Sequence, residues 1–425
     1  MSLGGVRQLV GRRYSDSVIR RTVLLAMLIA PAFGANFLVQ YSAAALFPVA
    51  DFGVFYVANT LGNVLFSGSL ILNMYFTRHL VGIQQAAGEG AAFAAMRRLE
   101  RIVVLWGGAV SALAFVALFN AAGRVGVQSW LVLLLIILDS YTAYVGDLGR
   151  VMLQSLRRTV QLGLYTLVWM VLRLVLCVVG ILVFHSVWGA LTGVVASSVV
   201  VWLGFHVWVA KSAGRVETEL PSLPRILELL PFVAGYGLMI AVSNLDILLS
   251  YFLLSQEQVG IYSASSIFPK AILVVTMPLL QMLFPMLLSQ QGSTRDFRVM
   301  LFKSVGVVAV LTALGTGLVW LASDWLCGGS WGLRNCQPGP LGVLLLSVIP
   351  LALLRILVLL QFTRGQDWLA IWLAVPTAAY VWLAWHSDRD IATVAWQFTG
   401  FAVVSLLFLL LVQGVAELLW RRAAG

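Results

Sequence analysis

Hydrophobic residues in this sequence occur in blocks of roughly 20, and this block length constrains the fold more than any other feature. At 1.5 Å per residue, such a block forms a helix long enough to cross the ~30 Å hydrocarbon core of a membrane. The chain is 61% hydrophobic and 10% charged, whereas soluble domains carry about 25% charged residues. The blocks also lack the strict alternation of barrel strands. We therefore predict an all-α polytopic membrane protein.

Twelve spans are predicted, arranged as two pseudo-symmetric lobes of six helices. The spans lie near 22–47, 52–77, 101–121, 126–147, 161–184, 187–210, 230–254, 260–288, 301–326, 339–362, 367–386 and 393–418. The predicted units are a first lobe at 1–210, a cytoplasmic linker at 211–229 and a second lobe at 230–425. Because each lobe has an even number of spans, we expect the two lobes to be related by an axis along the membrane normal.

An internal repeat supports this division of the chain. In both copies an Asn late in one span is followed by an acidic residue in the next turn, and then by Gly and Tyr at the start of the following helix. These residues are Asn36, Asp51, Gly53 and Tyr56 in the first copy and Asn244, Glu257, Gly260 and Tyr262 in the second. The offset between the copies is nearly constant and equals about half the chain.

The net charge of +10 is explained by the distribution of basic residues along the chain. If the N-terminus is inside, the outer loops contain only Arg124, Arg334 and Arg389 among the 27 Lys and Arg residues. Positive residues concentrate in cytoplasmic loops, so we expect both termini to be cytoplasmic. Contact with anionic membrane lipids accounts for the remaining surplus, and no nucleic acid is implied.

Five ionisable residues lie within predicted spans: Asp139, Arg173, Asp246, Lys270 and Arg355. Asp246 and Lys270 are equally distant from the turn at residue 258, so an antiparallel hairpin places them at one depth. Asp139 and Arg173 are likewise symmetric about residue 156. A charge at mid-membrane costs at least ~2.5–3.5 kcal/mol on insertion scales, so it is paired, solvated or functional. The two pairs either fix helix packing or line a hydrophilic cavity. Together with Arg355 they give the predicted spans three cations and two carboxylates, which is an excess of positive charge.

Two further residue types bear on function. Cys327 and Cys336 share a short outer loop, where an oxidising exterior would allow a disulfide; two free thiols are the alternative.

The four His residues lie scattered at span ends, which predicts no metal site. No phosphate-cradling Gly-rich loop with Lys-Ser or Lys-Thr occurs, so the sequence predicts neither ATP hydrolysis nor a cofactor.

The block "SNLDILLSYFLLSQEQVGIYSASSIFPKAILVVTMPLLQMLFPML" resembles the seventh and eighth spans of bacterial polysaccharide flippases. These belong to the multidrug/oligosaccharidyl-lipid/polysaccharide exporter (MOP) superfamily. The first lobe is similar in "DFGVFYVANTLGNVLFSGSLILNMYFTRHL" and "MLQSLRRT". The resemblance implies alternating-access transport of undecaprenyl-diphosphate-linked oligosaccharide to the outer leaflet, for exopolysaccharide or surface polysaccharide synthesis. It also implies partners among the polysaccharide polymerase and export machinery.

Candidate site residues are identified by the resemblance and by polar residues that recur at helical spacing on otherwise apolar spans. The substrate-binding candidates are Lys270, Arg173, Arg355, Tyr262, Gln281, Asn36 and Gln40. Asp246 and Asp139 are candidate ion-coupling groups or charge partners. Cationic side chains among them suit a diphosphate.

Three other functions are alternatives to the flippase. A cation-coupled multidrug exporter of the same superfamily would use Asp246, although the excess of cations disfavours it. A membrane-embedded glycosyltransferase, polymerase or ligase would need an acidic or histidine site beside a sizeable outer loop, and the sequence has neither. A purely structural subunit of an export complex is the third alternative. We therefore expect a transporter rather than an enzyme.

Overall fold

The computed structural model describes residues 27–66, 68–125, 130–156, 158–212, 230–276, 294–328, 333, 335–363 and 366–424. Within these ranges the chain is helical and contains no strand. Ten of the described helices are long and apolar enough to cross a membrane, or eleven if one bent pair counts as a single span. The chain is therefore a multi-pass helical membrane protein, and the predicted fold class is confirmed.

The helices are numbered here in chain order. Lobe 1 contains α1 (Met27–Leu46), α2 (Val49–Phe66), α3 (Gly68–Val125), α4 (Trp130–Ser155), α5 (Thr159–Phe184) and α6 (Val187–Ser212). Lobe 2 contains α7 (Leu230–Val242), α8 (Leu245–Leu253), α9 (Gln256–Val275), α10 (Thr294–Leu321), α11 (Ser323–Gly328), α12 (Pro338–Thr363), a 3-10 helix (Asp367–Leu373), α13 (Ala374–Trp385) and α14 (Ile391–Ala424).

The packing of lobe 1 is repeated in lobe 2. In lobe 1, α4 packs against α2, α3 and α6. In lobe 2, α12 packs in the same way against α9, α10 and α14, which are the corresponding spans of the repeat. One hydrophobic core extends through both lobes, and a second core closes the end of lobe 1 around α3 and α4.

The lobes meet where α2 packs against α9, and the contact is closest at two glycines. A Cβ atom on Gly53 would lie 2.8 Å from the backbone nitrogen of Gly260. A Cβ atom on Gly260 would lie 2.0 Å from the carbonyl oxygen of Val49. Both distances are far below van der Waals contact, so the helices approach this closely because neither residue has a side chain. The two glycines are the equivalent positions of the sequence repeat.

Local sequence signals explain where two of these helices begin. The Ser255 hydroxyl accepts a hydrogen bond from the Gln258 amide, and the Gln258 side chain accepts one from the Ser255 amide, which forms a capping box at the start of α9. Asp390 accepts backbone hydrogen bonds from Ala392 and Thr393 at 2.9 Å and 3.0 Å and so caps α14.

Three expectations about elements differ from the structure. The connection at 78–100, between the second and third predicted spans, is helical and belongs to α3, where the backbone departs from helical geometry at Gly88 (φ 84°). The span predicted at 230–254 is broken between α7 and α8 by a 57° bend. The span at 367–386 begins as a 3-10 helix. Most of the predicted linker, 213–229, lies outside the described residues.

Candidate functional site

A buried ion pair in lobe 2 joins α8 to α9. Lys270 Nζ donates to Asp246 Oδ1 at 2.8 Å, and the Tyr262 hydroxyl donates to Asp246 Oδ2 at 3.2 Å. Asp246 is fully buried, whereas the Lys270 side chain is 15% exposed. This is the pairing that equal spacing about residue 258 predicts, because two antiparallel helices bring equidistant residues to one level.

Lys270 also contacts two groups that the sequence does not reveal. Its ammonium donates to the carbonyl oxygen of Ser243, at the break between α7 and α8. Its Nζ lies 4.8 Å from the centre of the Phe398 ring on α14, which is within cation–π range. Three helices of lobe 2 and the break in its first span therefore converge on one ammonium group.

Two further tyrosines lie in the neighbourhood of the same carboxylate. Tyr380 of α13 and Tyr56 of α2 both lie within electrostatic range of Asp246. Tyr56 belongs to lobe 1, so the polar cluster around Asp246 extends across the interface between the lobes. The Tyr380 ring stacks on Phe401 with 4.5 Å between centroids, and its buried hydroxyl has no hydrogen-bond partner among the described groups.

The corresponding pair in lobe 1 is more completely satisfied. Arg173 donates to Asp139 through two nitrogens, at 2.9 Å and 3.4 Å, and to Asn59 Oδ1 at 3.1 Å. The Ser198 hydroxyl donates to the same carboxylate at 3.2 Å. Asp139 and Arg173 are both buried, and the network joins α2, α4, α5 and α6. The arrangement is that of a helix-packing contact within lobe 1.

Arg355 is a buried cation that has no carboxylate partner among the described residues. Its side chain lies on α12 and donates from Nη1 to the carbonyl oxygen of Leu273 on α9, at 3.0 Å. Its Nε is buried without an acceptor, and Arg355 forms no ion pair with any carboxylate in the described part of the chain. The residue itself is 6% exposed, so its side chain does not extend to the surface of the protein.

The structure corrects the charge balance expected from the sequence. Two additional carboxylates are buried in lobe 1. Glu100 accepts from Trp202 and contacts His206 at 2.9 Å, and Asp147 accepts from Asn73 and pairs with Arg150 at 3.0 Å. The sequence predicted an excess of buried cations throughout the interior. Among the described residues this excess occurs only in lobe 2, which has two cations, Lys270 and Arg355, and one buried carboxylate, Asp246.

The remaining predicted site residues lie apart from this cluster or outside the described chain. Asn36 and Gln40 are partly buried on α1, and Gln40 Oε1 has no hydrogen-bond partner within the described ranges. Between them, the Phe37 ring lies 5.8 Å from the Phe268 ring of α9, so α1 reaches lobe 2. Gln281 falls outside the described residues.

Cys327 and Cys336 form a disulfide, with their Cα atoms 4.8 Å apart. The residue that follows, Gln337, donates from its backbone to the Ser265 hydroxyl of α9 at 3.1 Å. The loop that precedes α12 is thus attached to the helix that carries Tyr262 and Lys270.

Sequence reasoning missed Tyr380, Phe398, Asn59 and Ser198. Asn59 and Ser198 are polar residues inside apolar spans, which is a signal that the sequence offers. Tyr380 and Phe398 lie in spans rich in aromatic residues, and their relation to Asp246 and Lys270 follows from tertiary packing alone.

The sequence matches no protein-family model and no curated protein. Solved structures do match. An inward-facing multidrug resistance MATE family transporter of the MOP superfamily is 12% identical, with a TM-score of 0.72, covering 94% of this chain and 98% of that one. An outward-facing structure of such a transporter is 12% identical, with a TM-score of 0.63 and coverage of 95% and 96%.

A MOP superfamily transporter from Pyrococcus furiosus, for which the reverse polarity of the binding pocket suggests a different function, also matches. It is 14% identical, with a TM-score of 0.62, and covers 93% of this chain and 94% of its own. At these identities the likeness shows the fold, which is that of MOP superfamily transporters.

Proposed function

We propose that this chain is a flippase that moves undecaprenyl-diphosphate-linked oligosaccharide from the cytoplasmic to the outer leaflet of a bacterial inner membrane. The fold supports transport, because it is shared with MOP superfamily transporters whose structures face inward in one case and outward in another. The observation that supports an anionic substrate is Arg355, a buried guanidinium in lobe 2 for which the described part of the chain offers no carboxylate partner.

A buried charge that lacks a counter-charge is expensive, and an arriving anion lowers that cost. A guanidinium has five N–H donors in a rigid fork, which suits the oxygens of a phosphate or diphosphate. The described contacts use the Arg355 fork for one backbone carbonyl, Leu273 O, so donors remain for a ligand. Arg173 differs, because Asp139 and Asn59 already occupy its two terminal nitrogens, so that among its donors only Nε lacks a described acceptor. We therefore assign the anionic group to Lys270 and Arg355 in lobe 2.

In this mechanism the two lobes rock about the α2–α9 contact while the diphosphate crosses along lobe 2. The polyprenyl tail stays in the bilayer, and the head group avoids bare hydrocarbon, where its unpaired charges would be prohibitive. Both termini are cytoplasmic in this proposal. The membrane potential or an ion gradient supplies the energy, with Asp246 as the coupling group.

One observation favours a second function, the export of cationic drugs. Asp246 is a fully buried carboxylate with three tyrosines around it, and a cation could replace the ammonium of Lys270 there. The matched multidrug resistance transporters share this fold. In this case Lys270 would be a competitor of the substrate rather than its ligand.

A leaflet assay in reconstituted vesicles tests the proposal. Purified protein is incorporated with a fluorescent polyprenyl-diphosphate oligosaccharide, and the label that reaches the opposite leaflet is quenched from outside. Loss of a charged hydrogen bond worth ~1.5–3 kcal/mol predicts that Arg355→Ala slows flipping about 10- to 100-fold. Arg355→Lys should restore part of the rate, because it restores the charge but not the fork.

Lys303→Ala is the matched control, because Lys303 is an exposed cation on α10. An unchanged rate in Arg355→Ala would refute the anion assignment. A drug flux driven by a cation gradient and abolished by Asp246→Asn, with no movement of the lipid, would establish the exporter instead. Polymer formation while the lipid-linked substrate stays in its original leaflet would establish an enzyme.

A further inference from the structure

The first span of lobe 2 is broken in the middle. Its two arms, α7 and α8, meet at a 57° bend, with Ser243 and Asn244 between them. In hydrocarbon every exposed backbone polar group must find a partner, so a broken helix persists only where its freed groups are satisfied.

Most of the freed groups at the break find local partners. The Asn244 amide donates to the Ala241 carbonyl at 2.9 Å, and the Asn244 side chain donates to the Ile240 carbonyl at 2.8 Å. The carbonyl of Ser243 would accept from Ile247 in a continuous helix, four residues on. In the bent span it instead accepts from the Lys270 ammonium of α9.

The ammonium lies where both arms of the span are negative. The last carbonyls of α7 carry the negative end of its helix dipole, and Asp246 is in the first turn of α8. Lys270 Nζ contacts Ser243 O on one side and Asp246 Oδ1 on the other, so one positive group bridges the two arms. Without it, a carbonyl and a carboxylate would face each other across the bend.

We propose that Lys270 is a latch that holds this span bent. An anionic group that enters lobe 2 opens the latch by binding the Lys270 ammonium and drawing it away from the break. The anion's identity as the substrate's diphosphate rests on the proposed function; the latch itself rests on the contacts at the break. Once the ammonium is withdrawn, Ser243 O regains its helical partner by straightening of the span. Substrate arrival and the shape of the span are thereby coupled through one side chain.

The distance between the two arms tests the latch. Ala234 and Phe252 are exposed positions on α7 and α8, and each can be replaced by a spin-labelled cysteine. Native cysteines do not interfere, because Cys177 is buried and Cys327 is paired with Cys336. With 1.5 Å of rise per residue, the two helix-axis positions lie ~27 Å apart in a straight span and ~24 Å apart at the observed bend of 57°.

Pulsed electron paramagnetic resonance should therefore give the shorter distance in the parent protein and a distance about 3 Å longer in Lys270→Met, as expected for straightening. Lys270→Arg retains a cation and should keep the shorter distance. Lys303→Met, which removes an exposed cation elsewhere, should leave the distribution unchanged. Addition of inorganic diphosphate to the parent protein should reproduce the longer distance and should have no effect in Lys270→Met.

An unchanged distance in folded Lys270→Met would overturn the latch. Should that variant fail to fold, the diphosphate titration of the parent protein decides, and a constant distance then refutes the proposal. If Lys270→Met lengthens the distance while diphosphate leaves the parent protein bent, the latch stands but the anionic trigger is refuted. That last result separates failure of the proposed substrate from failure of the latch.

Discussion

The lobe 1 ion pair allows a quantitative test of what holds that lobe together. Arg173→Met would leave the Asp139 carboxylate buried with the Ser198 hydroxyl as its remaining described donor. Asp139→Ala would leave the guanidinium buried with Asn59. Removing one partner of a buried pair typically costs ~3–5 kcal/mol, chiefly because the other charge is left uncompensated. We expect each single variant to lower the free energy of unfolding by this amount.

The double variant separates this explanation from a loss of packing. Because neither charge remains, we expect it to cost about as much as one single variant, which corresponds to a coupling energy of ~3–5 kcal/mol. The measurement is reversible unfolding by sodium dodecyl sulfate in mixed micelles, followed by tryptophan fluorescence. Lys303→Met, at an exposed position, should change the free energy of unfolding by less than ~0.5 kcal/mol. Additive effects of the two single variants would refute the reasoning.

Two smaller predictions use the same unfolding assay. Gly260→Ala should lower the free energy of unfolding by ~1–3 kcal/mol, because its methyl group would overlap the Val49 carbonyl at 2.0 Å. The control Gly306→Ala places its methyl group in open space and should be neutral or mildly stabilising. Equal effects of the two substitutions would contradict the packing argument. Hydrogen bonds from the Thr393 hydroxyl and backbone hold the pKa of Asp390 below its usual range, so its stabilisation is present at neutral pH and disappears as the pH falls through that lowered pKa. Asp390→Ala should cost ~0.5–2 kcal/mol at neutral pH, and a cost that persists in acid would contradict a charged cap.

Pairs of charges were predictable because they depend on local geometry. Asp246 and Lys270 are equidistant from one turn, and so are Asp139 and Arg173 from another, which is sufficient to bring them together across antiparallel helices. The multi-pass helical fold was predictable for a similar reason, since lipid imposes helix length on the sequence directly; the structure describes ten or eleven of the twelve predicted spans.

The rest of the site depends on packing between distant parts of the chain. Phe398 lies beneath Lys270 because α14 packs against α8, and no local pattern encodes that contact. The break after Val242 carries no Pro or Gly, the usual signals of a helix interruption, and is stabilised by a lysine on another helix. Burial of Glu100 and Asp147 follows from the extension of α3 past the predicted span end, where it covers the end of lobe 1.

The contact between Gly53 and Gly260 has a consequence for any solute that crosses between the lobes. Main chain touches main chain there, with too little space even for a methyl group. In the conformation observed, the close contact of α2 and α9 leaves no room for a solute between them at these residues. Release of cargo between the two helices at this level therefore requires their backbones to separate first.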